Sequence, residues 1–271
     1  KPSSAASDVY KRQGKGHSRN FLLVGLVSTS ERWARFSIEW RACLDQAPPI
    51  QVFKMRDAAS LSGEFRRFSV QERDARLREL AQIINRHAEF VLWTAINLDA
   101  HAKTWALLPR PMSEVYFWPF HTLIMGACFD LWEECGWREP FEVMFDEQLV
   151  FGERARQWYP LVQEILQQRY PEEATILPQM PAFGKDDDHL PIQAADLFAW
   201  CLRKNTDEPN AKSFEWLLAE LRDVSQSSYC NYYDLERMSA VRKDSNRLFE
   251  SGGLPADLVA KARLLRRRRQ R

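Results

Sequence analysis

The chain has 271 residues, of which 45% are apolar and 28% are charged, and its formal net charge is +1. This composition is sufficient for a core of ordinary size, and it excludes disorder, collagen and coiled coil as descriptions of the whole chain. The five cysteines are never spaced as Cys-x-x-Cys, which favours reduced thiols over disulfides or a zinc knuckle. No apolar run reaches the roughly 18 residues that a membrane span needs, so we expect a cytoplasmic protein with no membrane partner.

Charge is unevenly distributed along the chain. The segment 261–271 carries seven basic residues and no acid, whereas the segment 21–260 carries 26 basic and 36 acidic residues, a net charge of −10. A body of this charge would bind nucleic acid only through a local basic patch, metal ions or the basic tail. Terminal arginine runs are more often solvated ends than binding arms. Nucleic acid therefore stays an open alternative as a partner.

The first thirteen residues differ from the rest of the sequence. The segment KPSSAASDVYKRQ has no apolar period and resembles the translated adapter sequence found at the ends of assembled environmental reads. We therefore predict that 1–13 is a non-native segment that is irregular or fills the place of a missing first strand only by accident, and that the native chain begins near Gly14. The strand predicted at 21–27 should then have an unpaired edge.

From Phe21 onward, apolar runs of strand length alternate with helical patterns. Strands are predicted at 21–27, 90–98, 141–147 and 175–179, with a short extended piece at 52–55. Helices are predicted at 30–44 with Ser30 as its N-cap, at 70–87 after a capping box of Ser69 and Glu72, at 113–136 with a kink at Pro119, at 153–169 and at 190–204. The alternation predicts one α/β domain over 14–205, followed by a helical part at 206–260 and a basic tail at 261–271.

Several common motifs are missing from the sequence. It contains no phosphate-binding loop, no H-E-x-x-H and no G-x-S-x-G, which excludes phosphate-loop ATPases, zincins and serine hydrolases. Asp99 and His101 would share one side of an extended segment and could bind a metal together, although a solvated pair is the commoner outcome. His87 and His121 are more simply explained as a partner of a helix dipole and as a core imidazole.

Two acidic features are candidates for a functional site. Asp146 and Glu147 follow a predicted strand, where sites usually lie in open α/β folds, although strand ends also carry acids simply because they reach water. Asp196 lies in a helix that is apolar nearly all round, with Gln193 one turn earlier on the same face. A buried carboxylate needs hydrogen-bond donors or a cation, so Asp196 either accepts hydrogen bonds or binds a metal. A strand-end acid facing a helical acid is typical of two-metal phosphodiesterases.

Three stretches carry a resemblance to a known family: VFKMRDAASLSGEF, FEVMFDE and FGKDDDHLPIQAADLFAW. They resemble the domain-of-unknown-function family 3800 (DUF3800) over roughly residues 14–250. The resemblance implies a bacterial α/β protein with an RNase H-like mixed sheet flanked by helices and a helical C-terminal extension. It also implies a metal-dependent nuclease that uses Mg²⁺ or Mn²⁺, with Asp146, Glu147 and Asp196 as catalytic acids and with Asp146 and Asp196 as metal ligands.

The sequence also departs from that family. Family members open with a strand that ends in D-E-S-G and supplies the central metal ligand, which this chain lacks, so we expect it to be inactive as it stands. Lys54 stands where many relatives have His, and Lys185 lies near the family's Ser-Lys loop; with Gln193 they are the candidate substrate-binding residues. The acidic run 186–188 either adds a ligand or forms an exposed loop. The alternative function is a non-catalytic RNase H-like module that binds a protein or nucleic acid in a phage-defence or mobile-element system.

Overall fold

A six-stranded mixed sheet forms the centre of the molecule, with the strand order β5-β4-β1-β2-β3-β6. β2 runs antiparallel to its neighbours β1 and β3, whereas the pairs β1–β4, β4–β5 and β3–β6 are parallel. The computed structural model describes residues 2–8, 19–108, 110–147, 149–207, 214–221 and 228–250. The strands are β1 Pro2–Asp8, β2 Asn20–Thr29, β3 Phe90–Asn97, β4 Glu142–Asp146, β5 Ala182–Gly184 and β6 Ser228–Tyr233.

Helices cover both faces of this sheet. They are α1 Ser30–Asp45, α2 Met55–Ser60, α3 Val70–His87, α4 Leu98–Lys103, α5 Phe117–Phe129, α6 Leu149–Arg169, α7 Leu190–Asp207, α8 Glu215–Glu220 and α9 Leu235–Glu250. One hydrophobic core joins the sheet to α1, α2, α3, α7 and α8, and a second core joins it to α4, α5, α6 and α9. The predicted mixed α/β sheet with flanking helices is therefore confirmed. None of the described helices is long and apolar enough to cross a membrane.

The side chains of β2 alternate between the two cores. Leu22, Val24 and Leu26 belong to the core under α1 and α7, while Phe21 and Leu23 belong to the core under α5 and α6. Because successive side chains of a strand point to opposite faces, a strand covered on both sides needs an uninterrupted apolar run. The run at 21–27 meets this need.

Side-chain caps begin both α1 and α3. Ser69 Oγ accepts a hydrogen bond from Glu72 N at 3.2 Å, and Glu72 Oε2 accepts one from Ser69 N at 2.7 Å. The predicted capping box is thus confirmed. At α1 the cap is Thr29, whose hydroxyl accepts from Arg32 N at 3.3 Å, so the assignment of Ser30 as N-cap is wrong by one residue.

Replacing Ser69 by alanine is expected to lower the free energy of unfolding by about 1 kcal/mol, because the N–H of Glu72 then loses its partner at the helix end. Ser60→Ala is the matched control, since the exposed Ser60 hydroxyl caps no helix start: it donates back to Arg56 O within its own helix or shares a hydrogen bond with the exposed Ser62 hydroxyl. Urea denaturation of the two variants checks the difference. Equal loss in both would contradict a capping role for Ser69.

Several predicted boundaries differ from the structure. The strand predicted at 175–179 is wrong, because a 3₁₀ helix occupies Glu173–Ile176 and the strand β5 begins at Ala182. The helix predicted at 113–136 starts at Phe117 and continues after α5 as a π-helical turn, Asp130–Glu134. Pro119 therefore lies in the first turn of α5 rather than at a kink, and a first turn tolerates proline because its N–H groups have no partner within the helix.

The first strand contradicts an expectation from the sequence. Residues 2–8 form β1, which pairs with β2 on one side, with Ser7 opposite Val24, and with β4 on the other, with Ala6 beside Phe145. The predictions of an irregular segment and of an unpaired edge on β2 are therefore wrong for these residues. Residues 9–13 and the tail 261–271 lie outside the described residues. Main-chain pairing depends little on side-chain identity, so the origin of the segment 1–13 stays a prediction.

Candidate functional site

Asp146 is placed at the carboxyl edge of the sheet by the pleat of β4. Val143 and Phe145 belong to the core under α5 and α6, so the alternation of side chains directs Asp146 toward the opposite face, where α7 packs. Asp146 is partly buried. Glu147, the next residue, is exposed, and its main-chain N–H donates to Gly184 O at 2.8 Å. Asp146 and Glu147, which are adjacent in sequence, therefore differ in their exposure to solvent.

Asp196 lies on α7 between buried neighbours, including Ala195 and Leu197. Its Oδ2 accepts a hydrogen bond from Met55 N at 3.4 Å. Loss of water around the carboxylate raises the pKa of Asp196 to about 6, although the Met55 N–H and the charge of Lys54 oppose this change. The charges of Asp186 and Asp146 raise that pKa further. The charge of the strand-end acid therefore acts on the helical acid, while the shared metal site that the two-carboxylate pattern predicts stays a prediction.

Lys54 precedes α2 and forms an ion pair with Asp186 of the loop after β5. Burial alone would lower the pKa of Lys54, but the hydrogen bond to Asp186 and the charges of Asp186, Asp196 and Asp146 outweigh burial and raise it. The ammonium therefore stays protonated, forms an ion pair with Asp186, and lies within the electrostatic influence of Asp196 and Asp146. We refer to Lys54, Asp146, Asp186 and Asp196 as the lysine–carboxylate centre.

Gln193 is completely buried, and its amide makes two hydrogen bonds next to the lysine–carboxylate centre. Its Oε1 accepts from Trp40 Nε1 at 2.9 Å, and its Nε2 donates to the main-chain oxygen of Asp186 at 2.7 Å. The side chain thereby fixes the loop that carries Asp186 against α1. Its predicted contact with a substrate stays a prediction, and these two hydrogen bonds do not favour it.

The loop 185–188 divides into an inner and an outer part. Asp186 is partly buried against Lys54, whereas Lys185, Asp187 and Asp188 are exposed. The main-chain oxygen of Lys185 accepts from Asp188 N at 3.1 Å and from His189 N at 3.0 Å, which makes the loop a tight turn. Asp187 and Asp188 therefore form the exposed loop that was one of the two predicted alternatives for the acidic run. Lys185 stays a predicted substrate contact, and its exposure is the feature that supports this role.

The other candidate residues lie outside the lysine–carboxylate centre. Asp99 and His101 lie in the helix α4, where Asp99 is exposed and His101 is buried. The prediction that they share one side of an extended segment and could bind a metal together is therefore wrong. His87 ends α3, and its Nε2 lies 2.9 Å from Glu39 Oε1. His121 is partly buried, with its Nε2 buried and its ring stacked beside that of Phe117, which favours the interpretation as a core imidazole over a ligand.

The described residues do not complete a metal site. Among them no group of three or more His, Cys, Asp or Glu side chains could hold a metal ion. Asp146 and Asp196 supply oxygen atoms of the kind that Mg²⁺ and Mn²⁺ prefer, but the Lys54 ammonium interacts with the same carboxylates. The residues present therefore do not fit the predicted cofactor, whose assignment stays a prediction.

A cavity of about 200 Å³ lies on the same face, near the amino end of β4. Its lining includes Trp33 of α1, Met144 of β4 and His189 before α7. The cavity and the lysine–carboxylate centre both draw residues from β4 and α7. None of the four residues of that centre lines the cavity.

Comparison with known proteins adds no assignment. No protein-family model matches the chain, and no curated protein matches it either. The resemblance to DUF3800 therefore depends only on the motifs quoted above.

Proposed function

We propose that this chain carries a nuclease-type, RNase H-like domain related to DUF3800 proteins, and that the domain is inactive with the present N-terminal segment. The observation that supports the proposal is that Asp146 ends β4 on the face where α7 carries Asp196, and that the charge of Asp146 acts on the Asp196 carboxylate. Sites in open α/β sheets lie at this edge, and nucleases of the two-metal type use carboxylates from separate elements there. The mixed sheet with helices on both faces is compatible with such a domain.

The reason to expect inactivity is the composition of the centre. Hydrolysis with two cations needs enough carboxylate oxygens to hold both, and the described residues offer no such group. Family members carry the central acid within a D-E-S-G motif at the end of their first strand. Residues 2–8 occupy the central place in the sheet, and β1 ends in an acid, Asp8, but without that motif.

The test replaces residues 1–13 by a strand that ends in D-E-S-G. We expect the unmodified chain to cleave nothing and the restored protein to cleave labelled DNA or RNA, single- or double-stranded, with Mg²⁺ or Mn²⁺ but not with chelator. Asp196→Asn in the restored protein keeps the side-chain volume and removes the charge. Loss of residues around the direct ligands of a metal already costs about 10–100-fold, so this change should cost more.

The control for that variant is Asp188→Asn, which makes the same change on the exposed loop and should leave cleavage unchanged. Circular dichroism verifies that each variant is folded. A restored protein that cleaves none of the four substrates, or an Asp196→Asn protein as fast as its parent, would contradict the proposal.

The second candidate is the non-catalytic binding module. The ion pair between Lys54 and Asp186 favours it, because a centre that carries its own cation has less need of a metal. In this case the chain should retain labelled nucleic acid in a gel-shift assay equally well with Mg²⁺ and with chelator. Binding that disappears with chelator would count against this function.

A further inference from the structure

We propose that Lys54 is a built-in counter-cation, whose ammonium takes the place of a divalent cation among Asp146, Asp186 and Asp196. The chain then binds no divalent cation at this centre. This inference concerns the site of the proposed function and depends on the proposal that its carboxylates are of the cation-binding type. It assigns to Lys54 a role different from the substrate contact that its sequence position suggests.

The main chain holds Lys54 in place on one side of the centre. Its main-chain oxygen accepts from Asp57 N at 3.0 Å and from Ala58 N at 3.1 Å, so the residue is fixed to the start of α2. The next residue, Met55, donates its N–H to Asp196 Oδ2 at 3.4 Å. The segment that carries the ammonium is therefore attached directly to the helical acid.

The other side of the centre is held just as firmly. Asp186 forms the ion pair with Lys54, and the completely buried Gln193 donates to the Asp186 main-chain oxygen at 2.7 Å. The Asp186 side chain is 16% exposed while that of Lys54 is 41% exposed, so the pair lies at the boundary between core and solvent. Both members of the pair are thus placed before any ligand arrives.

Charge balance gives the reason for the pair. Asp186 and Asp146 place negative charge near Asp196, and the ammonium of Lys54, ion-paired with Asp186, offsets part of that charge. Mg²⁺ or Mn²⁺ would do so with oxygen ligands, whereas a lysine ammonium does so as a point charge on a flexible stem. Because Lys54 belongs to the chain, it competes with an external cation at a high local concentration.

The first test compares Lys54→Met, which removes the charge and keeps an unbranched side chain, with Lys54→Arg, which keeps the charge. In the presence of chelator we expect a lower melting temperature for Lys54→Met than for its parent. Lys54→Arg, which keeps the charge, should keep the melting temperature of the parent. Electron paramagnetic resonance should detect no Mn²⁺ bound by the parent at this centre. Mn²⁺ bound by the parent at this centre, or a Lys54→Met protein as stable as its parent, would overturn the inference.

The second test uses the unmodified protein, so it does not depend on the folding of a variant. An amine-reactive reagent, followed by mass spectrometry, should label Lys54 several-fold more slowly than the exposed Lys103. Asp186→Asn should speed the labelling of Lys54 and leave that of Lys103 unchanged. Mn²⁺ should have no effect on either rate in the unmodified protein. Faster labelling of Lys54 on addition of Mn²⁺ would mean that the cation displaces the ammonium, which overturns the inference.

These tests can fail independently of the proposed nuclease function. The cleavage assay depends on a restored first strand, whereas the binding and labelling assays depend only on Lys54 and its acids. Cleavage by the restored protein together with Mn²⁺ binding in the unmodified chain would keep the nuclease function and reject the counter-cation. The opposite pair of results would keep the counter-cation and reject the nuclease.

Discussion

Gln193→Leu is expected to lower the free energy of unfolding by about 2–5 kcal/mol, because it leaves two hydrogen-bonding groups without a partner. Trp40 Nε1 now donates to Gln193 Oε1 at 2.9 Å, and the Asp186 main-chain oxygen accepts from Gln193 Nε2 at 2.7 Å. Leucine has a similar volume and can make neither bond. Urea denaturation, with the unfolding slope compared between variant and parent, measures the loss.

The control is Gln163→Leu, because the Gln163 amide donates only at 3.4 Å to the main-chain oxygens of Pro178 and Gln179. It should cost well under 1 kcal/mol. A double-mutant cycle adds Trp40→Phe, which removes the indole donor that Gln193→Leu leaves unsatisfied. The double variant should lose less stability than the sum of the two single variants. Simple additivity would show that the buried hydrogen bond contributes little.

The second large effect is expected from His121 as the pH falls. Burial, together with the nearby charge of Arg169, lowers the pKa of His121 from 6.5 to about 4. The unfolded chain therefore binds a proton between these two pH values that the folded chain does not bind, and stability falls as the pH falls through this window. The shift corresponds to about 3 kcal/mol when the window has been crossed completely.

His121→Leu removes this titration, so the difference in stability between variant and parent should grow as the pH is lowered from about 6.5 to about 4. Its Nε2 is buried without a hydrogen-bond partner among the described residues, so leucine should be tolerated at neutral pH as well. Urea denaturation at intervals across the window gives the measurement, and His189→Leu, at a partly buried position, is the control. Parallel pH profiles for His121→Leu and its parent would show that His121 is protonated in the folded state.

The elements predicted best are those whose signal is local. The run 21–27 needs no partner to be recognised as a buried strand, and the Ser69–Glu72 box identifies the start of α3 from residues three apart. Local patterns also predict that Asp146 ends a strand and that Asp196 lies in an apolar helix. That these two acids lie on the same face of the sheet does not follow from either local pattern.

The features that were missed depend on distant parts of the chain. Lys54 and Asp186 are 132 residues apart in sequence, so neither position alone indicates an ion pair. The strand β6 lies in a polar segment that looked helical, and it exists because its main chain pairs with β3 at the sheet edge. Tertiary pairing overrides local preference at both sheet edges, where β5 pairs with β4 and β6 pairs with β3.

The position of β1 has a consequence for the order in which the chain folds. Its pairing with β2 joins segments that are close in sequence, whereas its pairing with β4 joins Ser3 to Glu142 across the intervening helices and strands. Closing so long a loop costs chain entropy before any contact repays it, which slows the formation of non-local strand pairs. The hairpin-like pair of β1 and β2 can assemble early, whereas the pairing of β2 with β3 closes the loop that contains α1, α2 and α3. The docking of β4, and with it the arrival of Asp146 beside Asp196, then becomes a late event in folding.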